Sequence, residues 1–430
     1  PAARSAARPQ VTSAPQLASP APHSYPRLNR KNTMFSLDPA VFTSRATISL
    51  GALEQNLTRV RAHLTGQKIM AVIKGDAYGH GLLPAARAFA RAGADYLGVA
   101  QVAEALALVR EWGEQPTEGE ALAGHPALPP VFSWIYTPDS DLAPALEAGI
   151  ELSVGDTWMI EAVARAAQAT GHTARVHLSV DSGMTREGFN LEDIPAAAQL
   201  LATHQQAGRL EVVGIWSHLA CADDPDSDAT TSQIAVFDEA RRLATRASLT
   251  PRLAHLSASS GVLWHPGARY DMVRPGIILY GLSPEPRRTL ASDLGLRPAM
   301  RLESELLTTR QLSHRAGVSY GHTAVVEDGA VLGVVPLGYA DGVPRALSNK
   351  GYVTVGEGPA AQRAPITGRV CMDQFVVRLD GPLPAGTPVV LFGDPARGEV
   401  SAAQWALASG TISYEIITRV AARVPRLYVK

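Results

Sequence analysis

The chain has 430 residues, 46% hydrophobic and 18% charged, enough to bury a large core and to form more than one structural unit. Its formal net charge is −1 with acids and bases intermixed, which excludes the basic stripe that a nucleic-acid or anionic-membrane partner would need. The two cysteines, Cys221 and Cys371, lie far apart and outside any metal-ligand spacing, as expected of a reduced cytoplasmic protein that holds no metal.

Residues 1–37 open with a stretch rich in Ala, Pro, Ser and Arg that lacks the apolar core of a secretory signal or a membrane span. They read as a disordered tail, or as the product of a start assigned upstream of Met34. The short strand "RATISL" then precedes the first helix and could join either half of the molecule.

From residue 66 short apolar runs alternate with longer amphipathic stretches. The runs are "KIMAVIK", "DYLGVA", "PVFSWIY", "IELSV", "ARVHLSV", "LEVVGIWSH", "RLAHLS" and "MVRPGIILYG". Between them "QVAEALALVREW" and "DTWMIEAVARAAQA" repeat apolar residues at three and four, the spacing of a helix with one buried face, and Asp156 or Thr157 can cap the second. Strands joined by helices pair in parallel, and eight such units predict a closed (β/α)8 TIM-type barrel of the α/β class over residues 38–290. The Pro, Gly and Glu-rich stretch 114–130 reads as a long surface loop. Beyond residue 290 the rhythm changes to strands bounded by Gly, Pro and Asp, among them "AVLGVVPLGYA", "GYVTVG", "QFVVRL" and "TPVVLFG". Residues 291–430 are thus expected to form a mainly β C-terminal domain.

Polar residues at the C-terminal ends of barrel strands converge on one face. Lys74 ends the first strand, Arg186 follows the fifth, His218 ends the sixth, Ser259 follows the seventh, and Arg274 with Gly276 lies on the eighth. Lys74 is one of five lysines in a chain that draws nearly all its positive charge from arginine. A strand-end lysine is either snorkelling to solvent or an amine kept partly neutral by desolvation and ready to react with a carbonyl. The neighbours "GDAYGHG" add Tyr78 and His80 on a glycine-rich turn, which favours the second reading.

"VIKGDAYGHG" resembles the cofactor-binding motif of the alanine racemase family, and "VDSGMTREGF", "GIWSHLACAD", "HLSASS", "MVRPGIILYG", "VSYGHT", "LGYADGVPR", "GRVCMDQ" and "ISYE" resemble further blocks in that family's order. The likeness spans roughly residues 38–430 and implies a pyridoxal 5′-phosphate enzyme that interconverts L- and D-alanine, a cytoplasmic homodimer supplying D-alanine for peptidoglycan. It implies that Lys74 carries the cofactor and acts as one acid/base group. Racemisation removes a proton from one face of Cα and returns it to the opposite face, which a second acid/base group meets. The resemblance implies that this group is Tyr320 and that it comes from the partner subunit. By the same resemblance Arg274 meets the pyridine nitrogen and His218 supports it. Tyr78, Ser259, Tyr414 and the backbone amides of Gly276 and Ile277 hold the phosphate. Arg186 contacts the phenolic oxygen and the substrate carboxylate, which the Met372 amide also meets. Asp223, Tyr339, Arg345, Arg369 and Asp373 belong to the access corridor, with Tyr320 and Tyr414 as its inner gate, which keeps the side-chain pocket small.

The chain departs from the family pattern at two places: Ser179 stands where a carbamylated lysine is common, and Ala258 where asparagine is common. A serine cannot form a stable carbamate and a buried guanidinium without a fixed partner is costly, so a small anion, most simply chloride, is expected near Ser179 and Arg186. The runner-up is an ordered water with a carboxylate nearby, for which Asp181 is a sequence neighbour that is expected to face the other way along the strand. Two rival readings are a broad-specificity or serine racemase on the same scaffold and a non-catalytic cofactor-carrying barrel.

Overall fold

Strand β1 (Arg45–Ser49) buries Ala46 and Ile48 and turns its other side chains outward, the period-two pattern of a half-covered strand. It runs antiparallel to Met300–Glu305 and parallel to Arg426–Val429, which resolves the open choice for "RATISL": the strand belongs to the sheet of the C-terminal region. The structure is a computed structural model and describes residues 42, 44–113 and 126–430. The tail read over residues 1–37, and most of the loop read over 114–130, lie outside the described residues.

The eight apolar runs become eight parallel strands: β2 (Lys68–Val72), β3 (Tyr96–Gln101), β4 (Val131–Ile135), β5 (Glu151–Val154), β6 (Ala174–Ser179), β7 (Leu210–Trp216), β8 (Leu253–His255) and β9 (Met272–Val273). They follow one another in chain order around the sheet, with β9 beside β2. The ring is nearly closed. Its last gap, between β8 and β9, is bridged by the amides of Asp271 and Arg274, which donate to the carbonyls of Ala254 and Ser257 at 3.0 and 2.8 Å. Helices cover the outside, including Val102–Trp112 and Thr157–Thr170; the second is capped by the Asp156 carboxylate, which accepts from the Trp158 amide at 3.1 Å.

Met70, Tyr96, Phe132, Val213, Trp216, Leu253 and Met272, all on barrel strands, pack into a separate cluster inside the ring. A barrel of this size is filled by side chains rather than hollow, so its interior is a core and only its ends are free for chemistry. The C-terminal region contains a six-stranded sheet, to which β1 contributes, and a three-stranded sheet of Thr308–Gln311, Val331–Val335 and Phe375–Leu379. It also carries two short helices that the strand pattern did not announce, Ala402–Ser409 and Ser413–Thr418. The second matters here because it bears Tyr414. No helix among the described residues is long and apolar enough to cross a membrane.

Candidate active site

Lys74 follows β2 and opens an unusual turn. Gly75, Asp76, Ala77 and Tyr78 have φ of 64°, 53°, 52° and 55°, one turn of left-handed helix in which three of four residues carry a Cβ. Such backbone costs roughly 1–2 kcal/mol per non-glycine residue. Three hydrogen bonds hold it. The Asp76 carboxylate accepts from the Leu82 amide at 2.7 Å, the Asp76 amide donates to Glu104 at 2.9 Å, and the Ala77 amide donates to the Ile73 carbonyl at 2.9 Å. The turn puts Lys74 and Tyr78 on the wall of one cavity of about 180 Å³ at the C-terminal mouth of the barrel.

Arg186, His218, Ser259, Arg274 and Tyr414 line the same cavity, as do Asp223, Gly276 and Ile277. The Lys74 side chain stands open to it, yet the surrounding protein strips water from the amine and lowers its pKa, with the positive charges of Arg186 and Arg274 adding to the effect. A larger share of neutral amine follows, which is what a nucleophile toward an aldehyde needs. Nζ lies 5.8 Å from the centre of the Trp134 ring.

Arg274 is buried and fixed by its terminal nitrogens. Nη1 donates to the carbonyl of His255 at 2.7 Å and meets its Nδ1 at 3.0 Å; Nη2 donates to the carbonyls of Ser217 and Leu256 at 2.6 and 3.2 Å and meets His218 Nδ1 at 3.3 Å. Both Nη atoms are thus held by the barrel wall, which leaves the Nε–H as the donor for a molecule in the cavity. Burial lowers Arg274 to about 9, so it keeps its charge at neutral pH, and the guanidinium carbon lies 4.9 Å from the Trp216 ring centre. Asp271 is not its partner: that carboxylate accepts from the Ala254 amide at 2.8 Å. The half-buried His218 is lowered to about 3, by desolvation first and then by Arg274, so it is neutral.

At the other end of the cavity the Gly276 amide donates to Ser259 Oγ at 3.0 Å. A Cβ on Gly276 would collide with the Tyr78 hydroxyl, so the bare backbone is what lets phenol and amide share the spot. The Tyr78 and Tyr414 rings stand 6.1 Å apart, and burial raises both phenols, so they remain donors across the physiological range.

The remaining assigned residues lie off this cavity. Tyr320, Met372 and Tyr339 are 70%, 53% and 41% exposed, and the Tyr339 amide donates to the Cys371 carbonyl at 3.0 Å. Tyr320 sits between Ser319 and Gly321, both at positive φ, in a turn pinned by Ser319 Oγ donating to the Arg369 carbonyl at 2.7 Å. Arg369 stacks beside that turn, 3.3 Å from where a Gly321 Cβ would be. Asp373 pairs with Arg423 at 2.6 Å, and Arg345 opens a short 3-10 turn, Arg345–Leu347.

One expectation around Arg186 needs correction. Its guanidinium is half exposed rather than buried, and its Nη2 donates to Glu187 at 3.1 Å. Asp181 is turned away, as expected from its place along the strand, and accepts from the amides of Gly183, Met184 and Thr185 at 2.9 to 3.0 Å. The sequence reading also passed over Trp134, Trp216 and His255. Each sits on an apolar strand, where nothing in the local pattern separates a residue facing the cavity from one in the core.

His80, His177 and His255 are fully buried, and burial lowers all three, His80 to about 4. Below the ordinary histidine value of 6.5 the unfolded chain therefore binds protons that the native chain refuses, so stability falls as pH drops from 6.5 toward 4. Each proton contributes up to about 1.4 kcal/mol per pH unit. Calorimetric unfolding near about pH 5, in buffers of different ionisation enthalpy, is expected to show net proton uptake. Release, or no exchange, would contradict it.

The model "Alanine racemase, N-terminal domain" matches residues 48–284, and "Alanine racemase, C-terminal domain" matches residues 299–428. The chain is 46% identical over 390 residues to the alanine racemase of Beutenbergia cavernae, covering 90% of this chain and 98% of that one. It is 44% identical over 386 residues to the alanine racemase of Thermobifida fusca, covering 90% and 98%. The solved alanine racemase of Streptomyces coelicolor A3(2) superposes with a TM-score of 0.84 at 41% identity, over 90% of this chain and 98% of that one. A barrel mouth with a desolvated lysine, a C-terminal region of sheets, and matches that run through both halves lead to one conclusion: the chain belongs to the alanine racemase family.

Proposed function

We propose that the protein interconverts L- and D-alanine with pyridoxal 5′-phosphate held on Lys74, as a cytoplasmic homodimer that supplies D-alanine for peptidoglycan. We divide it into a barrel domain over 38–290 and a β domain over 291–430, with the early strand β1 lent to the sheet of the second. The observation that carries the reading is the donor set of the cavity. It pairs a desolvated amine, suited to an aldehyde, with a fixed guanidinium N–H, suited to a pyridine nitrogen, and both stand in one space with hydroxyl donors. Ser259, Tyr78, Tyr414 and the amides of Gly276 and Ile277 suit a phosphate dianion and add no further cation beside the lysine.

When bound, pyridoxal phosphate draws in the electron pair left at Cα once its proton is removed. Arg274 orients the pyridine nitrogen with a hydrogen bond and has no proton to give it at neutral pH, which limits how far that charge is drawn away from Cα. Lys74 moves the proton on one face of Cα. Tyr320 of the partner subunit moves it on the other, a reading supported by the exposure of Tyr320, Met372 and Tyr339 and by their absence from their own chain's cavity. Arg186 and the partner subunit's Met372 amide receive the carboxylate. Asp223, Tyr339, Arg345, Arg369 and Asp373 form the corridor, and Tyr414 narrows it.

Purified protein offered a panel of L-amino acids is expected to release D-alanine fastest and D-serine more slowly. Comparable rates on larger side chains would replace this reading with a broad-specificity racemase, and a bound chromophore without turnover would replace it with a cofactor carrier. A second cavity of about 10 Å³, lined by Ser179, Arg186 and Glu187, has room for one water-sized occupant. Chloride there predicts activity that ignores bicarbonate removal and falls on dialysis against a bulky anion. Activity indifferent to both would leave Glu187 as the sole partner of Arg186.

A further inference from the structure

A line of buried polar groups runs from Arg274 down the inside of the barrel to its opposite end. Arg274 Nη1 meets His255 Nδ1 at 3.0 Å, His255 Nε2 meets His177 Nδ1 at 2.9 Å, and His177 Nε2 meets Glu151 Oε2 at 2.7 Å. Glu151 is the first residue of β5, His177 lies in the middle of β6, and His255 ends β8, so the line spans the barrel floor to mouth. His177, His255 and Glu151 have no exposed surface. At the floor, Arg175 Nη2 stands 2.7 Å from the other Glu151 oxygen and is itself partly exposed.

We propose that Glu151 is a positioning residue for Arg274: it sets the proton order of His177 and His255 so that His255 presents a lone pair to the guanidinium. The proposal rests on the reading of Arg274 as the group that meets the pyridine nitrogen. A carboxylate paired with Arg175 only accepts, so His177 carries its proton on Nε2. Burial keeps His177 neutral, which leaves its Nδ1 bare and requires a proton on His255 Nε2. His255 is neutral for the same reason, so its Nδ1 is bare and accepts from Arg274. Counted from the other end, a guanidinium only donates, and the same order results. Every proton in the line points from the cavity toward Glu151.

The imidazoles have no freedom to choose otherwise. Phe132 packs 4.5 Å from the His177 ring, Trp216 stacks on His255 at 6.0 Å with the planes 8° apart, and a Cβ on Gly214 would collide with His177 Nδ1. A charged group at the N-terminal end of barrel strands ordinarily reads as a stability element. Here it is joined to the mouth by three consecutive hydrogen bonds, each with a single allowed direction. In Glu151→Gln, an amide turned with its oxygen toward the His177 N–H sets its NH₂ against the Arg175 guanidinium. The amide NH₂ turned toward His177 instead would reverse both imidazoles and set a His255 Nδ1–H against Arg274.

The test begins with unmodified holoenzyme carrying ¹⁵N-labelled histidine. The shifts are expected to place His177 and His255 as neutral rings with the proton on Nε2; a proton on His255 Nδ1 overturns the proposal without any variant. Glu151→Gln is then expected to move His255 toward the Nδ1–H form and to lower kcat about 10–100-fold with KM nearly unchanged, the range seen for outer partners that orient a functional group. Glu151→Asp is expected to restore the proton order and most of kcat. A folded Glu151→Gln that keeps the original tautomers, or changes them with kcat intact, overturns it. Arg274→Ala separates the two readings: if it leaves the absorbance of the bound cofactor unchanged while Glu151→Gln still turns the tautomers, the assignment of Arg274 fails and the line of proton order stands.

Discussion

Replacing Lys74 with alanine is expected to lower alanine racemisation by at least about 10²–10⁴-fold, the contribution of one acid/base group, and to end covalent attachment of the cofactor. The size follows from where the amine stands. It is the lysine on the cavity wall, with its pKa lowered by loss of water and by Arg186 and Arg274, whereas Lys68, Lys350 and Lys430 lie exposed on the surface. Borohydride treatment of the yellow holoenzyme is expected to fix the pyridoxyl group on the peptide containing Lys74. Label on another lysine would remove the basis of the assignment. The left-handed turn that follows should survive the change, since its bonds come from Asp76, Ala77 and Glu104 rather than from Lys74. Loss of activity with an unchanged melting temperature is therefore the expected pair of results.

Tyr320→Phe is expected to produce a loss of similar size, about 10²–10⁴-fold, in proton removal from one enantiomer only. The exposed ring is kept and the hydroxyl alone is removed. Lys74 should still exchange the α-proton of the other enantiomer with solvent deuterium, so exchange and racemisation come apart. Equal loss of exchange from both enantiomers would count against two bases on opposite faces.

Most of the barrel was legible because its signal is local: eight apolar runs at regular spacing, separated by helical periodicity, each became a strand. β1 was not, since alternation in "RATIS" says that one face is covered but not by which sheet, and its partners lie more than two hundred residues away. The residues around the cavity were readable through motif blocks. The groups that hold Arg274 in place were not. Glu151, His177 and His255 each stand within an apolar run, and only the closed ring brings them into one line. The same limit explains Arg186. Its partner Glu187 is the adjacent residue, and neighbours in an extended chain ordinarily point apart, so no local pattern pairs them. The turn after Lys74 falls between these cases. Its glycines marked a tight turn, but three consecutive non-glycine residues at positive φ follow from tertiary hydrogen bonds that no local pattern records.

The central claim is that one site is assembled from Lys74 of one subunit and Tyr320 of the other, and subunit mixing tests it most directly. Lys74→Ala and Tyr320→Phe proteins, each nearly inactive alone, are mixed under conditions in which differently tagged subunits are shown to exchange, and D-alanine formation is followed. Random pairing makes half of the dimers mixed, each with one intact site of two, so activity is expected to recover to about a quarter of the unmodified level. Exchange of subunits with no recovery would show that both groups act within a single chain and would contradict the account.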